Sequence, residues 1–129
     1  RYNELAVRWV TEDTWAYERE FETPAELERA AAADLIFTGL DTFAFVSLNG
    51  EQILYADNFH REWRVPVGHL LAKGAGAKNT LRVVLPPATA TALELKKGLP
   101  YLVNTLSAPG ALDVFNYVRK PAYSFGWGE

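Results

Sequence analysis

Along this chain, short apolar or alternating runs recur between turn-forming residues, and the pattern predicts strands. Trp15 to Phe21 (WAYEREF) alternates, which sets Trp15, Tyr17, Arg19 and Phe21 on one side as an amphipathic strand. Asp34 to Phe37 is a short, mostly apolar run that ends at Thr38-Gly39. Thr42 to Leu48 (TFAFVSL) has the strongest strand character, and Asn49-Gly50 follows it. Both turn residues accept the positive φ of a type I′ turn, so a hairpin is expected, with Gln52 to Tyr55 returning antiparallel. Trp63 to Val67 alternates again, but Pro66 has no N–H to give a ladder and marks an edge or a strand end. Gly68 to Leu71 reads as a single helical turn before the glycine-rich loop Gly74 to Gly76. Thr80 to Leu85 is a further strand, stopped by Pro86-Pro87. Ala88 to Lys97 consists of good helix formers with lysines at its end and Gly98 just beyond, the signature of a short helix. Leu99 to Asp113 reads as an irregular connection, and Val114 to Trp127 has room for one or two more strands.

Strands dominate and no βαβ alternation is visible, so an all-β fold is expected, a sandwich or barrel. Both faces of Thr42 to Leu48 are apolar. Ala44, Val46 and Leu48 suit a two-sheet core because they are small or branched. Phe43 and Phe45 then point the other way, to be covered by a loop, by the Ala88–Lys97 helix or by a neighbouring domain. The 129 residues suit one domain, 1–129, long enough to hold its own core.

Composition narrows the function classes. Acids and bases are interspersed and the net charge is −3, with no basic patch for nucleic acid. No apolar run approaches a bilayer span, and no secretion signal opens the chain. The absence of cysteine removes disulfides, thiolate catalysis and cysteine-ligated zinc. It leaves the compartment open, although a cysteine-free chain without a visible signal favours a soluble, cytoplasmic protein. With no methionine at its start, the chain reads as a piece of something longer.

Candidate chemistry is sparse. His69, beside Leu70-Leu71, reads as a packed or capping histidine. Asp57-Asn58-Phe59-His60-Arg61 has the polar density of a loop that could line a sugar or metal site, but it lacks metal-ligand spacing and reads first as structural. Glycosidic chemistry needs two carboxyls flanking the scissile bond, and none of the sixteen acids is marked out for that task. Nucleophile elbows and phosphate-cradling loops are absent, and no cofactor or metal is implied. The closing stretch FNYVRKPAYSFGWGE carries five aromatic residues and a tryptophan between glycines.

Several stretches together carry a resemblance. Asp13-Thr14-Trp15 with Tyr17 to Phe21, then Phe37-Thr38-Gly39-Leu40-Asp41-Thr42 running to Leu48-Asn49-Gly50, then Asp57-Asn58-Phe59-His60, occur in this order. They are similar to the amino-terminal domain of β-mannosidases in glycoside hydrolase family 2. The likeness covers nearly the whole chain. Its most discriminating part is the ending, where Arg119-Lys120, Tyr123 and Phe125-Gly126-Trp127 resemble the R-K…F-G-W-D-W-G segment of that family.

The resemblance implies a jelly-roll β-sandwich like the galactose-binding domains, with the helix Ala88–Lys97 as an insertion. It also implies a parent enzyme that hydrolyses terminal β-mannosides with retention, its two catalytic glutamates lying in a following (β/α)₈ barrel. No catalytic residue is therefore expected in this chain. Trp127 matches the tryptophan that helps form the pocket for the terminal mannose. The family continues with Asp-Trp-Gly where this sequence has Gly128-Glu129 and stops, so the aspartate of that pocket has no counterpart here. Arg119 and Lys120 are expected at an edge or an inter-domain seam. Phe43 and Phe45 are inter-domain candidates on their apolar character alone. The expected partners are a β-mannoside and the chain's own barrel domain. The alternative is an autonomous carbohydrate-binding module, which would present several exposed rings on one face.

Overall fold

A computed structural model describes residues 3–30, 32–100 and 117–118. Among these, six strands form two antiparallel sheets. They are β1 (Trp15–Glu22), β2 (Asp34–Phe37), β3 (Ala44–Leu48), β4 (Glu51–Ala56), β5 (Trp63–Pro66) and β6 (Lys78–Leu85). One sheet has four strands in the order β1-β6-β3-β4, and the other pairs β2 with β5. The helix expected after Pro86-Pro87 is present as α3 (Ala88–Lys97). Gly98 closes it with φ −80, so the helix ends through i→i−3 bonds to Leu95 and Lys96 without a left-handed residue.

The register explains the two faces. Val46 pairs with Val83 and Val83 with Tyr17, while Leu48 pairs with Leu81 and Leu81 with Arg19. Residues directly opposite in a ladder share a face, so Val46, Leu48, Leu81 and Val83 line one face together, while Tyr17 and Arg19 on that face stand on the edge strand and stay exposed. Ala44, Val46 and Leu48 are fully buried, as the sequence predicts. Between the sheets, Leu48 packs with Ala33, Val67 and Leu71, joined by Phe21 from β1, Leu35 from β2 and Val65 from β5. This inter-sheet layer makes the domain a β-sandwich. Ile53 joins it by way of a bulge: Val46 faces Leu54 and Ser47 faces Gln52, which leaves Ile53 without an opposite residue. Strict alternation would have turned Ile53 outward, and the extra residue re-aims it.

The hairpin between β3 and β4 turns through Asn49 at φ 53 and Gly50 at φ 86, as Asn-Gly demands. Pro66 ends β5 opposite Asp34 in a sheet that has only edges. Gly68 follows, where its N–H and that of Val67 both donate to the Ala33 carbonyl. A Cβ at Gly68 would stand 3.1 Å from the Ala33 backbone nitrogen, whereas one at Gly50 would meet nothing within 4 Å. Gly50→Ala therefore pays only for its backbone, about 1–2 kcal/mol. Gly68→Ala must shift packed main chain, roughly 1–3 kcal/mol. Urea midpoints of the two variants should fall in that order, and an unchanged midpoint for Gly68→Ala would contradict the close approach.

Two features depart from the sequence reading, and a third selects one of the covers it left open. His69 is exposed, not packed, because Leu70 and Leu71 donate back to the Val67 carbonyl and the turn sends the leucines inward. Residues before β1 form two helical turns, α1 (Asn3–Ala6) and a 3₁₀ turn (Arg8–Thr11), and a further turn, α2 (Ala25–Glu28), follows β1. Finally, Phe43 is 2% exposed. It is buried with Ala92 of α3, against Ala88, Leu93, Tyr117 and Val118. Ala88 and Ala92 lie one turn apart, and their small side chains let the helix approach the ring. The strands expected in 114–127 lie outside the described residues except for Tyr117 and Val118.

Candidate functional site

The site residues singled out in the sequence fall into two groups. Trp127, Arg119 and Lys120 lie outside the described residues. Phe43 and Phe45 are described, and the fold separates them: α3 covers Phe43, while Phe45 is 41% exposed on the outer face of the four-stranded sheet. Phe45 lies opposite Tyr55 across β3 and β4, ring centroids 4.9 Å apart. Burial, and then the charge of Asp57, pushes the Tyr55 hydroxyl above its ordinary pKa. It therefore stays protonated well into alkaline solution and offers both a donor and an acceptor at the rim of the pair.

The polar loop Asp57 to Arg61 is organised from within. The Asn58 Oδ1 accepts the His60 backbone N–H at 2.8 Å, closing an Asx turn. The Phe59 ring meets His60 edge-on at 5.2 Å and lies against Gly39. The Arg61 guanidinium stacks 4.2 Å over the Trp63 ring, a cation–π contact. Asn58 and Arg61 thus serve the loop's own geometry, which is the structural role the sequence suggested first. Among the described residues, no group of three or more His, Asp and Glu side chains is arranged to hold a metal ion.

Two features escaped the sequence reading. One is a buried polar hub at Asn79, in β6. Its Oδ1 accepts the Ala72 N–H at 2.8 Å and the Asn49 amide at 3.0 Å. Its own amide donates to Thr23 Oγ1 at 3.0 Å and toward the Phe21 carbonyl at 3.4 Å. Asn49 in turn donates to the Leu70 carbonyl, and its Oδ1 accepts the Thr80 N–H. Thr23 donates to the Ala72 carbonyl. One side chain thereby joins the end of β1, the β3–β4 turn, the 68–72 turn and the start of β6. A signal for this was present: Asn79 is in phase with Leu81, Val83 and Leu85, so alternation alone points it inward.

The second is a cluster of exposed rings around the start of β1. Trp9 in the 3₁₀ turn packs on Trp15, centroids 5.9 Å apart, and the Trp15 indole N–H donates to the Val10 carbonyl at 2.8 Å. Tyr17 stands two residues along on the same side of β1 and is 60% exposed.

The described residues form a two-sheet, antiparallel β-sandwich with exposed rings on its surface. Residues 1–128 match the glycosyl hydrolase 2 galactose-binding domain-like family, and the chain belongs to that family. β-Mannosidase B of Emericella nidulans is 35% identical over 97% of this chain, which spans 14% of that protein's length. The β-mannosidase of Bos taurus is 29% identical over 98% of the chain, again 14% of its length. The crystal structure of a β-D-mannosidase from Dictyoglomus thermophilum matches 98% of this chain with a TM-score of 0.80 and 34% identity, over 15% of that chain. The β-sandwich and the galactose-binding-like class expected from the sequence are thus both found.

Proposed function

We propose that the domain serves as a non-catalytic part of a β-mannosidase, packing on a catalytic barrel and helping to shape the sugar pocket. The observation that carries this reading is the likeness to β-mannosidases over almost the whole chain, at a small fraction of their length. Retaining hydrolysis pairs a general acid/base with a carboxylate nucleophile across the scissile bond. No carboxylate of this chain is assigned to either role, so its contribution is shape and stacking. An apolar ring against a sugar face, the part proposed for Trp127, supplies orientation more than affinity.

One observation favours a second reading. An autonomous carbohydrate-binding module needs several exposed rings together, and Trp9, Trp15 and Tyr17 are such a group. Calorimetric titration of the isolated chain with mannose and mannobiose separates the two. The proposed role predicts no heat of binding at millimolar sugar, because the pocket is completed by another domain. Millimolar or tighter binding would favour the module instead.

A further inference from the structure

The segment leading into β1 is built unlike a free surface. It carries Leu5 at 64% exposure, with Val7, Trp9, Val10, Trp15 and Tyr17 also open to solvent, within a short length of chain. Scattered single apolar residues on a surface need no explanation, whereas a run of this kind marks an interaction site. Helical turns as short as α1 and the 3₁₀ turn are marginal in water by themselves. Their only extensive packing among the described elements is against one another. The segment is held to the sheet through Trp15, whose indole N–H donates to the Val10 carbonyl and whose ring meets Trp9, while its large apolar side chains face outward.

We infer that this segment is the surface on which the domain docks against another domain of the same polypeptide, an inference that rests on the reading of the chain as one part of a larger glycosidase. Two observations choose that occupant. The chain spans 14% of the length of the relatives it matches, so in proteins of that size most of the polypeptide lies outside this domain. The chemistry of the patch also suits protein better than sugar. Three of its members are aliphatic, and the Trp15 indole N–H, the donor a sugar hydroxyl would use, is already given to the Val10 carbonyl. That bond also fixes the Trp15 ring, and Trp9 leans on it, so the rings are set before docking and lose little freedom on it. The Phe45–Tyr55 pair on the outer sheet face is the rival surface, since it is aromatic and exposed but stands on well-paired strands.

Hydroxyl-radical footprinting read by mass spectrometry tests this on unmodified protein. The isolated chain is compared with the whole polypeptide its gene encodes. Labelling of Trp9 and Tyr17 is expected in the isolated chain and lost in the whole polypeptide, while Tyr55 is labelled in both. Equal labelling of Trp9 and Tyr17 in the two forms would overturn the docking surface while leaving the glycosidase reading intact. A gene product no longer than this chain would overturn that reading itself, and the docking inference with it. Two more results would assign the patch elsewhere and overturn the inference. One is protection in the isolated chain on raising its concentration, which indicates a second copy. The other is protection on adding mannobiose, which indicates a sugar platform.

Discussion

Replacing Asn79 by alanine is expected to destabilise the domain by roughly 3 kcal/mol, because one truncation orphans several buried groups at about 1–3 kcal/mol each before relaxation. The Ala72 N–H and the Asn49 amide lose their shared acceptor, and Thr23 Oγ1 loses a donor. Asn49 and Thr23 keep other partners, which holds the total below a simple sum. Urea unfolding should show a lower midpoint with an unchanged slope. A loss under about 1 kcal/mol would mean that water takes over the hub, against the full burial of the site. Lys78→Ala, next in sequence, is the matched control. Its ammonium bonds Glu20 at 2.9 Å, but both side chains are exposed, and exposed pairs contribute little. The hydrogen bond and charge of Glu20 raise the pKa of Lys78, so the pair is fully formed below the ordinary lysine range. It is lost only as pH climbs through that raised value. At neutral pH the control should leave the midpoint where it was.

The strands were legible because their signals are local. Period-two alternation and Asn49-Gly50 set out β3 and its hairpin, and Pro86-Pro87 with Gly98 bracketed α3 to the residue. The inward choice of Ala44, Val46 and Leu48 over Phe43 and Phe45 followed from side-chain shape alone, and the core has that arrangement. What alternation could not show was which outward ring would find cover. Phe43 and Phe45 differ only because α3, some fifty residues later, presents Ala88 and Ala92 to one of them and not to the other. His69 was misjudged for a related reason. Apolar neighbours in sequence suggest that the histidine is carried inward with them, but in the 68–71 turn successive side chains diverge. The helical turns before β1 carry no cap signal, since Val7 precedes the 3₁₀ turn without a capping side chain. Of the sugar-site residues, Trp127, Arg119 and Lys120 rest on the resemblance in the closing segment, a motif that periodicity does not encode.

Membership of the galactose-binding-like family fits a domain that binds and positions. Enzymes lower barriers by many kcal/mol through groups placed at the reacting bond, and in the proposed role those groups belong to another domain. The effect expected from separating such a domain from its catalytic partner is thus all or none. The most direct measurement is hydrolysis of an aryl β-mannoside by the whole polypeptide the gene encodes, run beside the isolated chain of residues 1–129. The account predicts turnover by the first and none by the second. Turnover by the isolated chain that survives repurification, or a whole polypeptide that leaves β-mannosides untouched, would contradict it.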